Sequence, residues 1–363
     1  MNFKENFGNE FPVCESHTYL NTAANGLLPR SVMNWRREHD EEFLNGGSIF
    51  REGHKTFIWE IKETVARFFH TEKDRIALVP NFSIGINMLM EGISKGQRVL
   101  MIEGDYPSVN WPVEYRDFDV CYAALNADLE KNIEKAFEKY KPNIFLCSIV
   151  QYISGLRIDL DFLKKLKESY PNTLFIGDGT QYFGTADFNF QESAFDIVGA
   201  SAYKWLLAGF GNGFFLLKEG VEEDIFPKAI GFNSADAVFG KKDQINMVGR
   251  MEPGHQDTLN YGSLKKALEF LDRVGIQNIE AYLTQQSKFI CERLTEHELL
   301  EPTIIERKQH GTIFNIKGNK AQFRKLHDAN IICSQRGKGI RVSFHLYNGI
   351  SDLEKLLEII SPF

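Results

Sequence analysis

The stretch 174–217 limits the possible folds more than any other part of the chain. It holds three short apolar runs, Leu174-Phe175-Ile176, Ile197-Val198-Gly199-Ala200 and Phe214-Phe215-Leu216-Leu217. Short apolar runs bounded by glycine and polar residues fit buried strands. The first run leads into Gly177-Asp178-Gly179-Thr180-Gln181, the second into Ser201-Ala202-Tyr203-Lys204-Trp205, and the third follows Gly209-Phe210-Gly211-Asn212-Gly213. A carboxylate closes one expected strand and a lysine follows the next.

Upstream, strands are expected at 76–79, 99–102 and 144–149, with helices at 32–43, 57–69, 84–92, 128–140 and 159–169. Strands that alternate with helices indicate an α/β fold with a mostly parallel, doubly wound sheet. Ligands of such sheets sit beyond the carboxyl ends of the strands. Ser83, Tyr106, Gln151, Asp178, Ser201 and Lys204 all fall just after expected strands, so one edge of the sheet gathers them. Past residue 217 the pattern changes. Residues 221–249 are loop-rich, helices are expected at 264–274 and 276–294, and strands at 312–316 and 340–344 flank a helix at 322–329. This reads as a large domain, 15–255, followed by a smaller C-terminal α/β domain, 256–363.

Composition removes several classes. The 363 residues are 43% hydrophobic and 25% charged, ordinary for a globular protein, and the net charge of −7 offers no broad basic surface for nucleic acid. The first residues, Met1-Asn2-Phe3-Lys4-Glu5-Asn6, lack the apolar core of a signal peptide, and no run reaches membrane-spanning length. Five cysteines, Cys14, Cys121, Cys147, Cys291 and Cys333, follow no pairing pattern, which points to a reducing, cytoplasmic setting. No Cys-x-x-Cys and no His-x-x-x-His pair with a glutamate occurs, so no metal site is expected.

A lysine after one strand and an aspartate at the end of another suit one chemistry well. The lysine holds an aldehyde cofactor as a Schiff base, and the aspartate keeps the cofactor's pyridine nitrogen protonated, so that the ring can draw electrons from a substrate Cα. Asp178-Gly179-x-Gln181 followed by Ser201-x-Tyr203-Lys204 resembles the core of the class V aminotransferase group, also called cysteine desulfurase-like. These are pyridoxal 5'-phosphate enzymes of fold type I, and the similarity covers nearly the whole chain.

The resemblance implies further site residues. Tyr19-Leu20-Asn21-Thr22-Ala23-Ala24-Asn25 is similar to a loop that borders the substrate, which brings in Asn25. Asn81-Phe82-Ser83-Ile84-Gly85-Ile86-Asn87 is similar to the family's phosphate loop. There Phe82 and Ser83 open a helix, with Ser83 at the expected N-cap, and free N–H groups at a helix start attract phosphate. Tyr106 takes the place of an aromatic ring stacked on the cofactor. Gln151 and Gln181 stand near its phenolic oxygen, while Ser201 and Tyr203 join Ser83 on the phosphate. Arg341-Val342-Ser343-Phe344-His345-Leu346-Tyr347-Asn348 looks like the motif Arg-x-Ser-x-x-x-Tyr-Asn, whose arginine forks onto the substrate's α-carboxylate. Arg250-Met251-Glu252-Pro253-Gly254-His255-Gln256-Asp257 is similar to a segment that reaches the neighbouring subunit's cofactor phosphate, with His255 and Gln256 in place of Thr and Pro. A homodimer is implied, as is an N-terminal segment, 1–14, packed on the small domain.

The resulting reading is a pyridoxal phosphate-dependent aminotransferase acting on small-molecule amino acids and keto acids. An epimerase, a lyase or a kynureninase-like hydrolase would use the same lysine, aspartate and arginine. A desulfurase needs a thiol on a flexible loop in a Gly-His-x-Cys setting, and 332–338 has only Cys333 at an expected strand end. A binding protein with no catalysis has no need of Lys204, Asp178 and Arg341 together. A nucleotide-binding dehydrogenase would rest on the glycines of 209–213, which precede a strand instead of opening a helix.

Overall fold

The structure, a computed structural model, describes residues 6–360. A short strand β1 (Thr18–Tyr19) precedes seven strands of one sheet: β2 (Ile76–Val79), β3 (Arg98–Ile102), β4 (Asp119–Ala123), β5 (Ile144–Ser148), β6 (Leu174–Asp178), β7 (Ile197–Ser201) and β8 (Gly213–Leu217). Their spatial order is β2-β8-β7-β6-β5-β3-β4. Only β8 runs against its neighbours β2 and β7; the other pairings are parallel.

The sheet separates two cores. Along β5, Phe145 and Cys147 enter one apolar cluster, while Ile144 and Leu146 enter the other. β7 divides the same way, with Val198 and Ala200 on one face and Ile197 on the opposite one. Side chains alternate between the two faces of a strand, and both faces here are covered, so the sequence shows continuous apolar runs rather than alternation. The first core is closed by Ile61 and Val65 of the helix His54–Phe68, Ile133 of Leu129–Tyr140 and Leu163 of Leu160–Ser169. The second is closed by Ile86 of the helix Phe82–Gly92 and Val109 of Pro107–Glu114. This is the doubly wound α/β architecture that the sequence predicts.

A smaller antiparallel sheet follows, formed by β9 (Ile313–Ile316), β11 (Ser334–Arg336) and β12 (Gly339–Ser343) in the order β11-β12-β9; the intervening β10 (Ile331–Ile332) pairs in parallel with β1. A third core lies here, with Leu20, Ile290, Leu294, Phe314, Leu326, Val342, Leu353 and Leu356. Helix Thr258–Val274, capped by the Asp257 side chain, packs through Tyr261, Leu264 and Leu268 into the first core, whereas Ile290 and Leu294 of the next helix, Ile276–Glu296, belong to the third. The domain boundary near residue 255 is therefore a proposal that limited proteolysis would place. Of the N-terminal segment, residues 1–5 lie outside the described residues. Phe11 packs its ring 6.0 Å from Phe270 and 4.9 Å from Tyr347.

Sequence reading passes over β4 and the helix Pro107–Glu114. β4 is an edge strand whose first residue is the exposed Asp119, and the helix carries Pro112 inside it, so neither shows a clean period. No helix among the described residues is long and apolar enough to cross a membrane.

Candidate active site

The carboxyl ends of β5, β6 and β7 lie side by side, with Ser148 opposite Asp178 and Asp178 opposite Gly199. Asp178 closes β6 and is buried; its Oδ1 accepts the Thr180 N–H at 2.8 Å. Burial pushes the Asp178 carboxyl up, against the Thr180 hydrogen bonds and the charge of Lys204, which pull it down. Lys204 follows β7 in a buried turn where its carbonyl accepts from Leu207 N–H and Ala202 N–H bonds Asn212 O. Burial holds the Lys204 amine below the ordinary lysine range; Asp178 opposes that shift, and the positive charges of Arg341 and Arg336 add to it. An ammonium with little water and two cations in range gives up its proton more readily.

Aromatic rings wall the amine. Lys204 Nζ lies 5.5 Å from the Tyr106 ring and 5.5 Å from the Tyr203 ring. Tyr106 meets Tyr152 edge-on at 5.2 Å, and Tyr203 stacks on Phe210 at 4.8 Å. The Tyr203 hydroxyl is pushed up to about 12, chiefly by burial. The loop before the helix Arg30–Gly46 closes one side. Gly26 N–H donates to Tyr203 O at 2.9 Å, and a Cβ on Gly26 would stand 1.8 Å from the Lys204 carbonyl oxygen, so only glycine fits. Asn25 is half-buried beside it, with Nδ2 on Gly26 O.

The helix Phe82–Gly92 points its start at the same edge. Asn81, not Ser83, is its N-cap, accepting the Ile84 N–H at 2.9 Å. The sequence motif places a hydroxyl residue at the cap, but the helix begins at Phe82, so the residue before it, Asn81, takes that role. Ser83 lies in the first turn, and its Oγ donates to Ser108 Oγ at 2.7 Å. Phe82 N–H donates to Ser201 Oγ at 2.9 Å, and Ser201 N–H donates to Thr180 Oγ1 at 3.0 Å. Phe82, Ser83 and Ser201 thus meet where a helix dipole favours an anion.

The two amides have other partners. Gln151 Oε1 accepts from Ile153 N–H and Ser154 N–H, and Nε2 donates to Gly104 O. Gln181 Nε2 donates to Ala23 O while Oε1 accepts the Trp205 indole N–H at 2.7 Å. Each keeps one amide N–H for a further acceptor.

Arg341 approaches from the small sheet. It is buried on β12, its Nη1 donates to Tyr152 O at 2.7 Å, and its buried Nε has no partner among the described residues. Burial lowers it to about 10, with the Arg336 charge the next cause. A buried guanidinium with an open N–H edge suits a carboxylate. His255 lies apart: its Nε2 sits 3.1 Å from Arg51 Nη2, in a cleft of about 510 Å³ that also involves His54, Lys62 and Glu252 and shares no lining residue with the Lys204 cluster. Among the described residues no group of His, Cys, Asp and Glu is arranged to hold a metal ion.

Sequence reasoning missed Thr180, Ser108, Tyr152 and Arg336. Thr180 is the unassigned position within Asp178-Gly179-x-Gln181, so its place beside the carboxylate was the one recoverable signal. Tyr152 and Arg336 are brought to the site by tertiary contacts alone.

The donor set fits pyridoxal phosphate on this chain's own terms. There is a buried carboxylate that wants a cation, a buried amine of lowered pKa, a helix start for a phosphate, and a ring to cover a ring. Residues 18–356 match the family model described as aminotransferase class-V. The chain is 21% identical to isopenicillin N epimerase of Amycolatopsis lactamdurans over 94% of each chain. It superposes on the apo structure of a cysteine desulfurase from Thermococcus onnurineus NA1 with a TM-score of 0.86 at 18% identity, covering 99% of this chain and 97% of that one. A C-DES mutant with glycine covalently linked to its PLP cofactor gives a TM-score of 0.87 at 17% identity over 98% of both chains.

Proposed function

Because this chain belongs to the aminotransferase class-V family, whose cofactor is pyridoxal 5'-phosphate, we propose that it moves an amino group between an amino acid and a keto acid. The observation that carries the reading is one buried cluster in which Lys204 feels both Asp178 and Arg341, while burial pushes the neighbouring Cys147 thiol up, away from a reactive thiolate. When bound, the cofactor supplies an electron sink for charge left at the substrate Cα.

The protein's own groups divide the remaining work. Arg341 Nη and Nε hold the α-carboxylate and so fix which Cα bond stands in line. Lys204 Nζ, its pKa lowered, is free often enough near neutral pH to bond an aldehyde and, once a substrate amine displaces it, would be free to move the proton off the substrate Cα. Asp178 supplies the fixed negative charge for a protonated ring nitrogen, which offsets the cost of its own burial. Tyr106 covers one side of the cavity and excludes water.

Cys333 argues against desulfuration. It sits between β10 and β11, where strand alternation turns Ser334 toward Asn21 and Cys333 into the third core. Burial pushes its thiol up to about 12, so no thiolate nucleophile is ready there.

The test uses the purified holoenzyme and a panel of amino acids. One keto acid released per active site, before any acceptor is added, supports transfer. Inversion at Cα would instead assign an epimerase, and released sulfide a desulfurase. Borohydride treatment followed by peptide mass spectrometry is expected to find the cofactor's mass on Lys204, and a label elsewhere overturns the site.

A homodimer in the cytoplasm belongs to the same reading. Phe210 is 65% exposed although it stacks on Tyr203, and Phe43, Leu44, Trp111, Tyr115 and Phe239 are exposed too. Apolar surface of this kind supports self-association. In that dimer the Arg250–Asp257 segment, with His255, would meet the partner's phosphate. Sedimentation at micromolar concentration tests the dimer.

A further inference from the structure

Arg336 is a charged residue near the site that the reading above leaves unused. It lies on β11, where Ser334 pairs with Arg341 and Arg336 pairs with Gly339. Residues directly opposite on antiparallel strands share a face, and the next residue but one returns to it. Ser334, Arg336 and Arg341 therefore share one face, and Ser334 Oγ donates from it to Asn21 Oδ1 at 2.7 Å, in the loop that closes the site. Arg336 and Arg341 are diagonal neighbours, with side-chain bases roughly 7–8 Å apart. Gly339, opposite Arg336, has no side chain to fill the space between.

The hairpin turn is also held at the cavity. Gly337 has φ of +58°, and a Cβ there would lie 3.0 Å from Ile153 Cγ2, next to the Tyr152 carbonyl that Arg341 binds. Arg336 is exposed, and among the described residues it forms no ion pair. Of the charges felt by Lys204, the carboxylate is Asp178 and the cations are Arg341 and Arg336. Asp178 is committed to the ring nitrogen and one substrate carboxylate to Arg341. Arg336 is left at the cavity mouth with no carboxylate paired to it among the described residues.

We infer that Arg336 is a specificity residue for an amino acid whose side chain carries a second acid group. The inference rests on the amino-acid-binding role of Arg341 given above. The α-carboxylate takes Arg341, and the side-chain acid reaches Arg336 at the rim. There the pair is partly solvated, so it selects among substrates without the full cost of a buried ion pair. An amide in place of that acid loses the charge and keeps the shape.

The experiment is calorimetric titration of the holoenzyme with L-glutamate, L-aspartate, L-glutamine, L-asparagine and L-alanine, with keto acid release read in parallel. In the wild type, one of the two acids is expected to bind at least about tenfold tighter than its amide. Arg336→Gln brings that ratio near one, with the acid losing more affinity than alanine, while Arg336→Lys restores part of it. Equal binding of acid and amide by the wild type overturns the inference. So does an Arg336→Gln variant that weakens alanine as much as the acids, because Arg336 would then serve the α-carboxylate. If the acids bind preferentially through Arg336 but no keto acid appears, the transfer reaction fails and the specificity role stands.

Discussion

The two halves of the site are built in opposite ways. At the sheet edge, polar groups already satisfy each other: Thr180 holds Asp178 and Ser201, Ser201 holds Phe82, and Gln181 ties Trp205 to Ala23. On the small sheet, Arg341 keeps a buried Nε without a partner and Arg336 forms no ion pair among the described residues. A set of groups fixed by one another is ready for a resident ligand and needs no rearrangement to hold it. Open cations on a separate element suit a ligand that comes and goes. On the proposed reading, the difference makes cofactor retention and substrate capture separable properties of this chain.

The largest effect should break the sheet-edge half. Lys204→Ala is expected to lower kcat by about 10³-fold or more, since general acid–base work and covalent attachment are lost together. Steady-state turnover checks it, and cofactor absorbance shows how far the remaining groups still bind. Next, Arg341→Ala should raise KM by about 10–100-fold, the worth of a charge-assisted pair, with cofactor content nearly unchanged. Cofactor loss in that variant would erase the separation of the two halves.

A third measurement sharpens the comparison through pH. The Lys204 amine must be neutral to attack an aldehyde, and its pKa is lowered in the fold, first by burial. The rate at which apoprotein captures pyridoxal phosphate should therefore rise with pH to a plateau whose midpoint lies well below about 10.4, the ordinary lysine value. Arg336→Gln removes one of the cations that lower the pKa, so its midpoint should move up. The smallest effect is expected at Cys333. Cys333→Ala should leave turnover within about twofold and cost about 1 kcal/mol in thermal or denaturant unfolding, the price of a small core truncation. A large loss of activity would return the thiol to the chemistry.

The strands and the order of site residues were legible because β5, β6 and β7 are buried on both faces, which writes unbroken apolar runs into the sequence. Asp178, Ser201 and Lys204 could be found from such runs since a parallel α/β sheet sends its ligands to the strand ends. Asn81 was not legible as the cap, because an N-cap is decided by backbone angles and asparagine and serine compete for the role. The edge strand β4 and the Pro112 helix stayed hidden for want of a clear period.

Taken alone, then, the amino-acid order pointed to the doubly wound sheet and to a lysine and an aspartate at neighbouring strand ends, while the arginine of the last strand came only through the family resemblance. The first two depend on local periodicity and on residue types at and just past strand ends. The fold itself decided which groups are spent and which are open: that the two glutamines are tied to backbone and indole, that Cys333 faces a core, and that Arg336 stands diagonal to Arg341. Each of these turns on strand register and on contacts between residues far apart in the chain, where a shift of one residue would send every side chain to the other face.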